Sequence, residues 1–133
     1  MHKGFLATAI IFGILSVILG AFAAHKLRET VSDYAVNIFE TGVRYQFYHV
    51  FALLAAGILF KEYPGKWLKA SGWFFILGIL LFCGSLYALM FVKAAVLPGY
   101  NWLGPITPVG GLMFIMGWIC LLIAVLKKKN VYG

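Results

Sequence analysis

Long uncharged stretches divide the chain. Three runs contain no Lys, Arg, Asp or Glu: Gly4–Ala24, Ala70–Val92 and Ile106–Leu126. Each has about 21 to 23 residues, and a helix needs ~20 apolar residues to cross the hydrocarbon core. A fourth run, Tyr45–Phe60, is shorter, but a helix that begins at Arg44 is long enough because a long cationic side chain can extend to the interface. The pattern predicts four membrane spans, at about 4–24, 44–60, 70–92 and 106–126.

The segment between the first two spans, "HKLRETVSDYAVNIFETGVRYQ", has helical spacing with no Pro and one Gly. Thr30 followed by Asp33 has the form of a capping box, and Ser32 is a second candidate cap. We therefore predict an amphipathic helical segment at about 30–43, outside the membrane, that runs directly into the second span.

Composition supports lipid as the solvent. The chain is 63% hydrophobic and 11% charged, whereas a soluble domain carries roughly 25% charged residues. We expect one membrane domain covering residues 1–133, an all-α four-helix bundle with an additional amphipathic segment between spans 1 and 2.

The end of the first run, "GAFAAH", also contains a small-x-small pattern at Ala21 and Ala23 that is typical of signal-peptidase sites. The apolar core of a signal peptide has about 7–15 residues, and this run is longer. We expect the first span to stay uncleaved, with its small residues allowing close helix packing.

Positive charge predicts the orientation. With four crossings, one side of the membrane carries Lys3, Lys61, Lys66, Lys69, Lys127, Lys128 and Lys129, and the other carries Lys26, Arg28, Arg44 and Lys93. Because cytoplasmic loops are enriched in Lys and Arg, both termini are expected to be cytoplasmic in a multi-pass protein of the cell membrane. The net charge of +7 is then explained by the membrane, and we expect no nucleic acid as a partner. The stretch "LKKKN" is interpreted as an anchor against anionic headgroups of the bilayer.

Polar residues concentrate near the outer ends of the predicted spans. Tyr45 and His49 lie at i,i+4 positions and share a helix face, and Glu40 with Arg44 has the favourable order for an ion pair, although the two could also form a solvated face. Because polar side chains inside membrane proteins usually face the bundle interior, we predict a polar pocket that is open to the outside. The candidate ligand-binding residues are His25, Glu40, Arg44, Tyr45, His49, Ser85, Tyr87 and Thr107. Cys83 and Cys120 are expected to be buried hydrophobes rather than a disulfide or a metal pair.

Four stretches carry a family resemblance: "GAFAAH", "FETGVRYQFYHVFALLAAGI", "LFCGSLYAL" and "GPITPVGGLMFIMGW". They resemble the signature stretches of the domain-of-unknown-function 423 family, which includes the transmembrane protein 256 branch. One departure is Ala23, where the family pattern usually has Gly. The resemblance implies a small multi-pass membrane protein with an uncleaved first span, and it implies no activity.

The favoured function is binding of a small ligand or lipid in the outer pocket. His25 and His49, if they lie at similar depth, could form a bis-His haem or metal site, but without further ligands a simple polar network is favoured, so we expect no cofactor and no metal. The alternative function is a structural or assembly subunit of a larger membrane complex, with the lipid bilayer and a second copy or another membrane protein as partners. This alternative depends on small-residue pairs suited to helix packing, namely Gly20 with Ala24, Ala52 with Ala56, and Gly84 with Ala88.

Two further function classes are less well supported. A transporter is disfavoured because the inner halves of the spans are apolar and we expect no span to be interrupted by proline. The sequence also contains no nucleophile elbow, no His-Glu-x-x-His and no Gly-rich phosphate loop, so we expect no enzyme and no catalytic residue.

Overall fold

The first uncharged run forms the helix α1, Lys3–Thr30, which contains one π-helical turn at Ala23–Leu27. The computed structural model describes residues 1–127 of the chain, so two lysines of the predicted "LKKKN" anchor lie outside the described residues. Nδ1 of His2 caps α1 by accepting a hydrogen bond from the backbone N–H of Phe5 at 3.1 Å. This bond satisfies one of the first N–H groups of α1, which have no partner within the helix.

The second helix, α2 (Asp33–Leu59), covers the predicted outer segment and the second predicted span without a break. Its cap is Ser32, whose Oγ accepts a hydrogen bond from the backbone N–H of Ala35 at 3.2 Å. The predicted capping box at Thr30 is wrong, because Thr30 still belongs to α1 and donates its hydroxyl to the Lys26 carbonyl at 3.0 Å.

The remaining two helices form a second hairpin. Helix α3 (Lys66–Ala95) contains a π-helical turn at Ile79–Cys83, and helix α4 spans Leu103–Leu126. Although proline lacks the N–H that a helix interior uses, α4 continues through Pro108. The described residues thus form helices and connecting turns, an all-α architecture.

Three of the four helices, α1, α3 and α4, are long and apolar enough to cross a membrane. Helix α2 has sufficient length, but it is more polar because Arg44, Gln46 and His49 interrupt its apolar sequence. The structure therefore contains three candidate spans, one fewer than the sequence pattern predicts.

Helices α1 and α2 pack antiparallel in a register that repeats every seven residues. Three contacts define it: Leu6 with Gly57, Gly13 with Val50, and Gly20 with Val43. At Gly57 a Cβ atom would come within 2.8 Å of a Leu6 methyl group, so the two backbones approach as closely as a glycine allows.

Helices α3 and α4 pack closely at three glycines in one antiparallel register. The Phe75 ring lies on Gly117 and the Phe114 ring lies on Gly78, whereas Gly110 faces the backbone of Phe82. Because rings or backbone occupy the space that a β-carbon would need, the hairpin is held in a single register. One buried hydrogen bond reinforces it, from Ser71 Oγ to the Gly117 carbonyl at 2.8 Å.

The core lies between α2 and α3, with α1 and α4 packed on either side. Its fully buried residues include Phe5, Leu53, Phe75 and Cys83. Only 17% of the apolar window of α1 is buried, and the rest of that helix has to be covered by lipid or by another protein. Cys83 and Cys120 are buried free thiols, as predicted.

Candidate functional site

An open groove of about 610 Å³ runs along the surface between α2 and α4. Its lining residues are Tyr45, His49, Phe82, Pro108, Gly111, Leu112, Phe114, Ile115 and Trp118. We call it the α2–α4 groove. Most of this lining is apolar, and several lining side chains are exposed, including Leu112 and Ile115. The groove therefore opens toward the lipid-facing surface rather than into an enclosed cavity.

The groove exists because α4 presents little side-chain bulk opposite Phe82. Gly111 has no side chain, and a Cβ atom placed there would meet only the Phe82 ring, at 3.8 Å. Tyr45 lies beside the same ring on α2, with its ring centroid 4.8 Å from that of Phe82. An occupant of the groove would therefore lie against aromatic faces.

His49 is the most polar residue that lines the groove. Its Nδ1 lies 2.8 Å from the Tyr45 carbonyl oxygen, and its Nε2 lies 3.2 Å from the indole Nε1 of Trp118. Because a carbonyl only accepts and an indole N–H only donates, His49 carries its proton on Nδ1 and is neutral. Its ring stacks on Phe114 with centroids 3.5 Å apart. His49 therefore joins α2 to α4 with both ring nitrogens occupied.

The depth of His49 follows from the register of α1 and α2. Since Gly13 faces Val50, His49 is level with position 14 of α1, the midpoint of the uncharged run Gly4–Ala24. His49 thus lies near the middle of the helices, deeper than the outer end where sequence analysis expected the pocket.

A second polar link connects three helices. The Gln46 side chain donates from Nε2 to the Phe12 carbonyl of α1 at 3.0 Å and accepts from the Tyr87 hydroxyl of α3 at 2.7 Å. Gln46 is buried, and the Tyr87 ring lies directly on Gly42. These bonds satisfy polar groups that lipid could not satisfy, and they fix α2 between α1 and α3.

Ser85 and Thr107 form a third link, between α3 and α4. Their hydroxyl oxygens are 2.6 Å apart, and Ser85 Oγ also lies 2.9 Å from the Phe82 carbonyl oxygen. Since Ser85 has one proton and the carbonyl can only accept it, Thr107 donates to Ser85. The pair joins the two helices and uses both hydroxyl protons, so neither residue has a donor left for a ligand.

Glu40 pairs with Arg28 and not with Arg44. An Arg28 guanidinium nitrogen lies 3.0 Å from Glu40 Oε1. Arg44 is exposed and makes no hydrogen bond or ion pair with any described residue. The predicted Glu40–Arg44 pair is wrong because the chain reverses at residues 31–32 and brings the end of α1 against the first turns of α2.

His25 is exposed and distant from His49. In the register of α1 and α2, His49 is level with position 14, so His25 lies eleven residues farther along α1, or about 16 Å at ~1.5 Å per residue. The expectation that the two histidines lie at similar depth is wrong, and a bis-His site between them is excluded by this distance.

The eight predicted residues thus separate into small groups. Tyr45 and His49 share the groove, whereas Ser85 with Thr107, Tyr87 with Gln46, and Glu40 with Arg28 form separate pairs. Sequence reasoning left two residues of the polar links out of its list, Gln46 and Trp118. Gln46 had a usable signal, since it lies three residues before His49 on the same helix face. Trp118 had none, because its partner is 69 residues away.

Known proteins that are similar to this chain are named as membrane proteins. The family model described as protein of unknown function (DUF423) matches residues 19–111. The chain is 38% identical over 127 residues to UPF0382 membrane protein SAB0533 of Staphylococcus aureus (strain bovine RF122), which covers 94% of this chain and 97% of that protein.

Two further relatives come from other bacteria. UPF0382 membrane protein YwdK of Bacillus subtilis is 36% identical over 126 residues, covering 94% of this chain and 98% of the relative. UPF0382 inner membrane protein YgdD of Escherichia coli is 35% identical over 122 residues, covering 92% of this chain and 88% of the relative. No solved structure matches the chain.

Proposed function

Because this chain belongs to the family described as protein of unknown function (DUF423), whose relatives are named membrane proteins, we propose that it is a four-span membrane protein that binds a lipid or lipid-like ligand in the α2–α4 groove. The role is one of binding, without catalysis. The observation that carries the proposal is a groove of about 610 Å³ with aromatic walls and a polar side chain at mid-depth.

The register of α1 and α2 supports four crossings. Helix α1 is a candidate span, and α2 lies against it from the Leu6–Gly57 contact to the Gly20–Val43 contact. That distance is 14 residues along α1, about 21 Å at ~1.5 Å per residue. A helix packed along most of a span at this depth crosses the membrane with it. The excess of lysine on the side of the termini then supports cytoplasmic termini in the cell membrane.

The dimensions of the groove support a ligand with a long apolar part. Ligand sites have volumes of ≈ 300–1,000 Å³ and are mostly apolar with a few polar groups, and the α2–α4 groove falls within this range. His49 has both nitrogens occupied, so the apolar body of the ligand lies beside it rather than bonding to it. A hydrogen-bonding end of the ligand would meet Tyr45, whose side chain lines the groove and is 40% exposed.

Arg44 does not line the α2–α4 groove but lies beside Gly20, Glu40 and Val43, where it can pair with the headgroup of a neighbouring lipid. It precedes Tyr45, and in the register of α2 it is level with Leu19 of α1, five residues from the end of the uncharged run Gly4–Ala24. An ionisable side chain about 7 Å below that end at ~1.5 Å per residue is costly without a partner. A headgroup phosphate or carboxylate would supply the partner that the described protein residues do not.

A pair of glycine variants tests the proposal. Gly111→Leu places a side chain inside the groove, whereas Gly84→Leu places the same side chain on α3 where nothing lies within 4 Å. Both proteins would be purified in mild detergent, and the lipids that copurify would be counted by native mass spectrometry. We expect Gly111→Leu to lose the bound species and Gly84→Leu to retain it, with both proteins folded. Equal retention by the two variants would contradict the proposal.

The alternative role as an assembly subunit receives less support. One of its small-residue pairs, Ala52 with Ala56, is buried inside the chain, and Gly20 of a second pair packs on Val43. A stoichiometric second polypeptide in the same mass spectra, in place of a lipid, would favour that role.

A further inference from the structure

A second cavity, of about 430 Å³, lies where α3 begins and α4 ends. It shares no lining residue with the α2–α4 groove. Its charged and aromatic lining residues are Glu62, Tyr63, Lys66, Trp67 and Lys127. We call it the lysine cavity.

Two ammonium groups from different helices converge on one indole in this cavity. Nζ of Lys66 lies 5.7 Å from the ring centroid of Trp67, and Nζ of Lys127 lies 5.0 Å from it. Each contact is a cation–π interaction, which holds the lysine in place. Two like charges held near one ring repel each other, so an anion bound between or beside them would stabilise this arrangement.

The backbone and the remaining charge define which anion fits. Helix α3 begins at Lys66 with no side-chain cap, so the N–H groups of its first turn are donors at the same place. Among the described residues, the cavity lining carries the ammonium groups of Lys66 and Lys127 and the carboxylate of Glu62, so positive charge is in excess. This excess suits an anionic group such as a phosphate.

The cavity also lies at the level of lipid headgroups. Lys66 precedes the uncharged run Ala70–Val92 by a few residues, and Lys127 directly follows Leu126. Both ammonium groups are therefore at the ends of apolar spans, where Trp67 has its usual interfacial position.

We propose that the lysine cavity binds a phosphate group through Lys66 and Lys127. The phosphate belongs either to an anionic phospholipid or to a molecule in solution. This site is independent of the α2–α4 groove, so failure of one proposal leaves the other intact.

The experiment compares two double variants with the same change in charge. Lys66→Gln/Lys127→Gln removes both ammonium groups of the cavity, whereas Lys61→Gln/Lys69→Gln removes two exposed lysines from the same end of the molecule that do not line it. Phosphatidylglycerol would be titrated into the full-length protein in detergent, and the dissociation constant would be measured by native mass spectrometry. The control variant measures the nonspecific attraction of any lysine near the bilayer.

We expect the cavity variant to weaken phosphatidylglycerol binding at least about tenfold beyond the control variant, the loss of one charge-assisted contact or more. Lys66→Arg/Lys127→Arg keeps both charges and both cation–π contacts, so it should restore binding and would show that the cavity variant is folded. Equal weakening in the cavity and control variants, or no weakening in either, would overturn the proposal.

Two further ligands identify the source of the phosphate. Binding of phosphatidylglycerol that inorganic phosphate does not displace indicates a lipid headgroup. A soluble ligand is indicated if inorganic phosphate displaces the lipid. In that case inorganic phosphate alone should bind to the wild type and not to the cavity variant. Phosphatidylcholine is the reference lipid. We expect it to bind the wild type and the cavity variant equally well, because the lysines do not hold it.

Discussion

The indole N–H of Trp118 donates a hydrogen bond of 3.2 Å to Nε2 of His49. This bond connects α2 with α4 across 69 residues of sequence. The Tyr45 carbonyl holds the other ring nitrogen of His49, which fixes the tautomer that the indole requires. His49 is thus a structural element of the groove wall, and its role can be separated from ligand binding by stability measurements.

The first prediction concerns this bond. His49→Phe leaves the Trp118 N–H unpaired, and we expect it to lower the free energy of unfolding by about 1–3 kcal/mol. The double variant His49→Phe/Trp118→Phe leaves no unpaired group, so its cost should fall short of the sum of the single costs by at least about 0.5 kcal/mol. Equilibrium unfolding in mixed detergent measures all three. Trp102→Phe, at an exposed indole, is the control, and additivity of His49→Phe with Trp118→Phe would show that the bond contributes nothing.

The second prediction concerns the link through Gln46. Tyr87→Phe leaves the buried Oε1 of Gln46 without its donor, which should cost about 1–3 kcal/mol. Tyr48→Phe removes a hydroxyl from a side chain that is 55% exposed and should change stability by less than about 0.5 kcal/mol. Similar melting temperatures of the two variants in one detergent would argue against the three-helix link.

The third prediction uses two adjacent glycines of α4. Gly110→Ala would place a methyl group on the backbone of Phe82, which cannot move without separating α3 from α4. Gly111→Ala meets only ring atoms, at 3.8 Å. We expect the first variant to melt well below the wild type and the second to melt at the same or a higher temperature, since alanine is favoured over glycine in a helix by about 1 kcal/mol. Two equally stable variants would mean that the hairpin is looser than the structure indicates.

The fourth prediction concerns the ion pair at the outer end. The effects of Arg28→Gln and Glu40→Gln on the free energy of unfolding should be non-additive. The coupling should be only about 0.2–1 kcal/mol, because the pair is largely exposed. Arg44→Gln combined with Glu40→Gln should be additive. A double-mutant cycle by urea or thermal unfolding distinguishes the two, and coupling between Glu40 and Arg44 would restore the pairing that the structure contradicts.

The fifth prediction tests the number of spans. In a background without Cys83 and Cys120, single cysteines at Lys3, Glu29 and Pro64, all exposed, would be labelled with an impermeant maleimide in intact cells. Four crossings predict that only the cysteine at Glu29 is labelled from outside. If α2 does not cross, the cysteines at Glu29 and Pro64 are labelled together, and the four-span proposal fails.

The positions of the helices could be predicted from the sequence because the length of an uncharged run and its spacing are local properties. The outer segment and the second predicted span form one helix, α2, as the spacing before Arg44 indicates. Even the polarity that separates α2 from the other helices is visible in Gln46 and His49.

The partners of the polar side chains could not be predicted in the same way. At Glu40 the spacing favoured Arg44, but the chain reversal at residues 31–32 brings in Arg28, which no periodicity identifies. The assumption that polar residues face inward fails at Arg44 and Tyr48, which are exposed. Near the interface, headgroups and water can satisfy such side chains, so burial is not required there.

The long separation between partners in the polar links has a consequence for biosynthesis. When α2 leaves the ribosome, the Tyr87 that will bond to Gln46 lies 41 residues ahead, and Trp118 lies 69 residues beyond His49. At about 5–20 residues per second, translation takes roughly 3 to 14 s to supply the indole. During this interval the polar face of α2 lacks its final partners, so the insertion machinery or the bilayer surface has to hold it. Helix α2 is therefore made second, but its polar links are complete only after α4 is made, and truncation of the chain before Trp118 should leave α2 more accessible to quality-control proteases.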